Sequence, residues 1–557
     1  MPRRRSTGTA HRRSGRERGS SALRAHPSAP TRTKPAGPSR YLVLLLSALP
    51  LLYVLAVNAW VVDDAYITFR TVDNFVHGHG LTWNVDERVQ AYTHPLWMML
   101  MTSVYAVTRE AFYTSIGLSW VLTLLAVAMW AHAFTDGFRR HLWKVPLFVV
   151  AFIAGKAAID FASSGLENPL SYVILTLFTL RLIRGPDEGR LSACVFWMSL
   201  AYLNRPDSVV MLLPAVIWLL WRRETGERPP VRLAARLLVS VSPAIVWTLF
   251  SLVYYGFPFP NTAYAKSLTT GFPIAWRVQR GLEYAWNSLS WDTAAWGVLA
   301  AACVLAVRTR SAAARALLSG ILIYMVAVVL DLASTTHMSG RFYSMPLFLG
   351  TVLFVSLLDS RRFGMAAMAT LGLFVLWSPI SAIKFGTPSY HAPAQNRSSI
   401  DTKWYVLNEG AALIDWRPGV PLPDHVWYHD GEAFRASSAK VRVGGGLGSP
   451  AIGYVGYAAG PEKFFIDVVG LSDPLLARLP ALTPPSSERW QSGHFLRKVP
   501  DGYVESVDLN ENLIVDPAVH DYYAVIRNVT RGPIFRWDRF QDIVRLNFGL
   551  VKAPTSY

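Results

Sequence analysis

Apolar residues fill long runs of this chain, without the alternation of a half-buried strand or the narrow stripe of a water-facing helix. The first run, residues 41–62, is long enough to cross about 30 Å of hydrocarbon. It ends in Asn58-Ala59-Trp60 and leads into Asp63-Asp64 with no small-residue cleavage site, which predicts a retained signal anchor. Further apolar runs lie near 95–107, 116–134, 145–162, 169–183, 191–203, 208–221, 234–254, 294–307, 316–332, 345–358 and 364–379. Several are short and contain Pro, which predicts tilted or partly buried helices. The pattern predicts a polytopic α-helical membrane protein with roughly eleven membrane helices. After about residue 380 the runs stop, and Gly, Pro, Asp and Trp become frequent. Residues 385–557 therefore read as a soluble extracytoplasmic domain of mixed α/β type, following a membrane domain over 41–384.

Basic residues orient the runs, because short cytoplasmic loops carry excess Lys and Arg. Arg222, Arg223, Arg228 and Arg232 mark one such loop; Arg308, Arg310 and Arg315 a second; Arg361 and Arg362 a third. Counting from these, 164–168, 204–207, 255–293, 331–344 and the chain after 380 face outward. The loops with Arg139, Arg140 and Lys144, and with Arg181, Arg184 and Arg190, face inward. One inconsistency stands: three runs separate Asp63 from 164–168, yet both face outward. A re-entrant 95–107, which begins at Pro95, removes it.

Composition agrees. Hydrophobic residues make up 52% and charged residues 16% of the 557, against about 25% charged in soluble proteins. The 20 Trp and 23 Tyr suit two membrane interfaces. The net charge of +17 is concentrated in residues 1–40, where ten Arg and Lys34 face only Glu17. That Ser- and Pro-rich segment reads as a disordered cytoplasmic tail and topology signal rather than a nucleic-acid binder. Cys194 and Cys303 sit in apolar runs and offer neither a disulfide framework nor a metal set.

Polar residues at the outward breaks carry the candidate chemistry. Asp63 and Asp64 open a helix on which Asp63, Arg70 and Asn74 share one face and Phe69, Val72, Phe75 and Val76 the other, which predicts an amphipathic helix at the interface. Capping needs one acid, and a second at a membrane boundary is costly, so the pair points to function. The loop 63–94 then runs through Glu87, Arg88 and His94. Glu167 lies at the mouth of a helix starting at Pro169; Asn204, Arg205 and Asp207 cross a helix break; Asn261 and Lys266 follow Tyr254-Tyr255-Gly256-Phe257-Pro258. His337, Arg341 and Tyr343 complete the set. Each has a plainer role available: helix charge for Glu167, a local ion pair for Arg205 and Asp207, an interface anchor for His94 and Arg341. Together they place carboxylates beside several cations. That suits glycosyl transfer from a lipid phosphate: a carboxylate base deprotonates the acceptor hydroxyl, and Arg70, Arg205, Lys266 and Arg341 stabilise the phosphate. No cofactor is demanded; a divalent cation on Asp63 and Asp64 is the one option.

The run DDAYITFRTVDNFVHGHGLTWNVDERVQAYTHPLW resembles the first outer loop of GT-C-type polyprenyl-phosphate-dependent glycosyltransferases, and within them the actinobacterial terminal arabinofuranosyltransferase and ZomB-like groups. SGLENPL, LNRPDS, YYGFPFPNTAYAK and DVVGLSDPLLARLP follow in the same order. The resemblance implies a GT-C fold, a polyprenyl-phosphate sugar donor, a cell-envelope glycan acceptor and an inverting displacement. It makes Asp64, or Asp63, the base, Glu167, Arg205 and Asp207 pocket residues, and Lys266 a phosphate contact. Where relatives carry a Gly-Gly-Asp-type run, this chain has Ala333-Ser334-Thr335-Thr336-His337. Two other classes compete. A lipid or polysaccharide transporter would place charge at mid-membrane and show repeats, and neither is visible. A non-catalytic envelope or motor-assembly protein would use residues 385–557 as its contact module.

Overall fold

Runs of Leu, Val, Ala and Phe form the helices here, and their ends fall where Gly, Pro or charge interrupts them. The computed structural model describes residues 40–184, 189–222, 230–268, 273–332, 338–391, 401–403, 410–445, 451–482 and 493–556. The helices used below are α1 (Arg40–Val57), α2 (Asp63–Val76), α3 (Pro95–Thr108), α4 (Phe112–Phe134), α5 (Lys144–Ile153), α6 (Asn168–Arg184), α7 (Arg190–Asn204), α8 (Ser208–Trp221), α9 (Pro230–Tyr254), α10 (Ile274–Trp291), α11 (Thr293–Arg308), α12 (Ala312–Leu330), α13 (Ser344–Leu357), α14 (Arg361–Trp377), α15 (Val426–Ala436) and α16 (Ile452–Ala459).

This is a mostly helical membrane protein. By length and composition, α1, α4, α9, α12 and residues 361–384 could each cross a bilayer, five spans among the described residues. A sixth arises if α10 and α11, bent by 96°, count as one. The expected eleven also counts shorter runs, which this length criterion leaves out. Other apolar helices have only 10–17 residues, and at 1.5 Å per residue they fall short of about 30 Å of hydrocarbon. Their apolar side chains pack inside the bundle instead: Tyr172 of α6 stacks on Phe348 of α13 at 4.5 Å, and Phe152 of α5 meets both rings.

Helix α3 runs alongside α2. His94, just before it, meets Thr68 at 2.8 Å; the Tyr105 hydroxyl donates to Asp73 at 2.5 Å; Arg109, just after it, reaches His77 at 3.5 Å. Both ends of α3 thus lie beside α2.

Residues 40–557 form one compact unit, and contacts cross position 385 freely. Trp60 pairs with Ala412 in an isolated antiparallel bridge, and the Lys403 ammonium donates to Asn58 at 2.6 Å. Strand content after 385 is small among the described residues: β1 (Val441–Gly444) pairs in parallel with β2 (Phe464–Asp467), Val441 opposite Phe464. The rest is helix and loop.

The polar face of α2 is where the structure departs most from the sequence pattern. Instead of lying at an interface, α2 is buried almost all round, with Asp63, Arg70, Thr71 and Asn74 as enclosed as Phe69 and Val72. Helix α16 covers it. Its glycines allow the approach: a methyl at Gly453 would strike the Asp63 carbonyl, and one at Gly456 would lie 2.6 Å from the Trp83 ring.

Candidate functional site

Val62 is extended and α2 starts at Asp63, so two adjacent acids occupy its first turn, where the helix dipole favours them. Neighbours on a helix diverge by about 100°, and the two carboxylates have different surroundings. Asp63 faces α16. Its oxygens accept from the Tyr454 N–H at 2.7 Å and the Gly453 N–H at 3.1 Å, which caps α16 from another part of the chain. Burial pushes its carboxyl up from the ordinary 3.8 to about 7, against those two hydrogen bonds and with help from Asp64. The folded protein then keeps a proton that the unfolded chain loses above about pH 3.8, so this group's contribution to stability falls as pH rises from about 4 to 7. Thermal unfolding across that range is expected to show a slope in wild type that Asp63→Asn reduces.

Asp64 faces open space. Its side chain is 34% exposed, and one oxygen lies 3.3 Å from an Arg341 guanidinium nitrogen. The space is a chamber of about 300 Å3 lined by Asp64 and Thr68 of α2, His94, Glu167, Arg205, Asp207, Lys266 and Arg341, with Ile67, Tyr92, Tyr202, Phe259 and Phe342 as apolar wall. A smaller chamber of about 40 Å3 shares Asp64, Ile67, Lys266 and Leu471 and adds Asp63, Met338, Asp467 and His494. Asp64 and Lys266 therefore stand where the two chambers meet.

Fixed charges surround this junction. Glu167 lies 2.7 Å from Arg205, 3.1 Å from His94 and 3.6 Å from Arg341. Burial opposes its charge, but these partners prevail and hold its carboxyl well below the usual range. Arg205 also grips Asp207 through Nε at 2.9 and 3.1 Å and lies over the Phe342 ring; Tyr324 donates to Asp207 at 2.8 Å. Lys266 differs: it makes no hydrogen bond or ion pair among the described residues. Burial lowers its pKa, and nearby Asp64 opposes that.

Two bacterial transferases are similar to this chain in sequence. Over 243 residues, 37% of this chain, the sequence is 27% identical to the terminal beta-(1->2)-arabinofuranosyltransferase of Corynebacterium glutamicum. Over 225 residues, again 37% of the chain, it is 30% identical to the protein of the same name from Mycobacterium tuberculosis. The chain is similar to terminal arabinofuranosyltransferases. It spans about a third of the length of those curated relatives, 33% and 35%. No family model matches it, and no solved structure does.

The chamber gathers Asp64, His94, Glu167, Arg205, Asp207, Lys266 and Arg341 from the residues singled out in the sequence. Others lie elsewhere. Arg70 is not a phosphate ligand here: it donates to the carbonyls of Trp83 at 2.8 Å, Gly456 at 2.5 Å and Lys463 at 2.6 Å, with its guanidinium over the Trp83 ring. Glu87 is buried against Asn84 and Arg531. Arg88 donates to the carbonyls of Tyr254 and Gly532, and Asn261 to those of Gly470 and Asp473, in a separate small void. Asn204 braces the Glu167 carbonyl from behind at 3.0 Å, and Tyr343 stacks on Tyr284 away from the chamber. His337 lies outside the described residues.

A divalent cation does not fit the acid pair. Both Asp63 oxygens are engaged by backbone N–H groups, and no cluster of three or more His, Cys, Asp or Glu among the described residues could hold a metal. Sequence reading missed Thr68, Tyr202 and Phe342. Thr68 was detectable: it follows Asp64 by four residues and so shares its face.

Proposed function

We propose that this chain is a membrane glycosyltransferase. It moves arabinofuranose from a polyprenyl-phosphate donor to a cell-envelope glycan on the extracytoplasmic side of the membrane. The observation carrying this is the junction itself: an accessible carboxylate, Asp64, beside the guanidinium of Arg341 and the ammonium of Lys266, which is unpaired among the described residues. The activity for which the similar proteins are named supports the sugar.

In this reading the Asp64 carboxylate takes the proton of the acceptor hydroxyl as its oxygen attacks the anomeric carbon. The bond from that carbon to the phosphate oxygen breaks, and the lipid phosphate leaves with its charge balanced by Lys266 and Arg341. A single displacement is favoured because the other chamber carboxylates, Glu167 and Asp207, are held by Arg205 and not available as nucleophiles. The product should carry the opposite anomeric configuration to the donor, read by NMR of the product; retention would rule out the single displacement.

Lys266→Met tests the phosphate contact. A hydrogen bond to a charged group contributes about 1.5–3 kcal/mol, so the donor KM is expected to rise about 10- to 100-fold in initial-rate measurements, with Lys266→Arg closer to wild type. A donor KM unchanged by Lys266→Met would remove Lys266 from the donor site.

A further inference from the structure

We propose that Thr68, His94 and Glu167 form a chain of contacts that fixes the Thr68 hydroxyl as an acceptor toward the chamber, where it receives a hydroxyl of the bound sugar. This deepens the transferase reading and rests on it. The Thr68 hydroxyl meets His94 Nε2 at 2.8 Å, and His94 Nδ1 lies 3.1 Å from Glu167 Oε2 and 3.3 Å from the Thr93 hydroxyl. Thr68, His94 and Glu167 all line the chamber, and at 1%, 4% and 1% exposure they are shielded from bulk water.

The direction of the chain follows from Glu167. Arg205 at 2.7 Å and Arg341 at 3.6 Å hold it ionised, and an ionised carboxylate only accepts. The ring nitrogen facing it, Nδ1, therefore carries the hydrogen. A neutral ring with hydrogen on Nδ1 leaves Nε2 as an acceptor, so the Thr68 hydrogen points to it. Only the oxygen lone pairs of Thr68 remain for the chamber, and they can pair with a hydroxyl but repel a carbonyl or ether. Thr68 lies one helical turn from Asp64, about 6 Å away, so the sugar hydroxyl it holds sits next to the base.

A chain that merely ties α2 to the 94 and 167 loops would not distinguish one sugar from another. A site that hydrogen-bonds a substrate hydroxyl rejects the analogue lacking it. The test uses the full-length protein in nanodiscs and measures binding of farnesyl-phosphoryl arabinofuranose and its 2-, 3- and 5-deoxy analogues. Wild type should bind one deoxy analogue at least 10-fold more weakly than the parent. Thr68→Val should bind the parent and that analogue alike, and Thr68→Ser should restore the difference. If Thr68→Val keeps the full discrimination while binding the parent, the proposal fails and the transferase reading stands. If wild type binds neither parent nor analogues, the donor reading fails and takes the sugar contact with it. A 15N spectrum of His94 in the ligand-free protein checks the chain without any sugar: hydrogen on Nδ1 is expected, and hydrogen on Nε2 overturns it.

Discussion

Asp64→Asn is expected to lower turnover by about 10²–10⁴-fold, the usual contribution of a positioned general base, while thermal stability stays near that of wild type. The amide keeps the size of the carboxylate and can still meet Arg341, now through its carbonyl oxygen, so the chamber should keep its shape. What it loses is the ability to take a proton. Asp63→Asn should behave in the opposite way. That side chain accepts the Tyr454 and Gly453 N–H groups and is enclosed. Its amide would turn one donor toward an N–H, so stability should change while turnover falls by less than about 10-fold, well short of the loss of a base. Initial rates and melting temperatures of the two variants, side by side, separate the roles. A reversed pattern would make Asp63 the base.

The second large effect concerns Arg70. Three carbonyls, of Trp83, Gly456 and Lys463, accept from its guanidinium. The Trp83 carbonyl also accepts from Asn74 at 3.1 Å, so Arg70→Met deprives the Gly456 and Lys463 carbonyls of its donors, and each such lost partner costs about 1–3 kcal/mol. The loss should be at least about 2 kcal/mol and fall first on the packing of α16 against α2. Expected outcomes are a lower melting temperature and faster proteolysis after residue 385. Arg70→Lys should not rescue, because one ammonium cannot reach three carbonyls placed around a planar fork. A variant as stable as wild type but with a raised donor KM would return Arg70 to the phosphate site.

Much of the chamber was legible in the sequence because its residues announce themselves. Glu167, Arg205, Lys266 and Arg341 are charges at breaks between apolar runs, where charge is costly without a reason. Convergence on one chamber needed only that these breaks share an end of the bundle. The face of α2 was not legible. Helical periodicity correctly put Asp63, Arg70 and Asn74 on one side, but it cannot say what covers that side. The cover, Gly453 to Lys463, lies nearly 400 residues away in sequence. Arg70 and Asp63 thus looked like water-facing or reactive groups when their partners were distant backbone. Which runs cross was not legible for a related reason: runs such as Pro95–Thr108 and Ser344–Leu357 are apolar but short, and sequence alone does not say whether lipid or protein surrounds them. Thr68 shares the Asp64 face, but its part in the chamber shows only once His94 is placed beside it.

The most direct test of the central claim is transfer of radiolabelled arabinofuranose from decaprenyl-phosphoryl-arabinofuranose to a synthetic arabinan acceptor, by purified wild type and Asp64→Asn. Label in the acceptor with wild type, reduced at least 100-fold with Asp64→Asn, is the predicted result. Equal transfer by both proteins, or none by wild type, would contradict it.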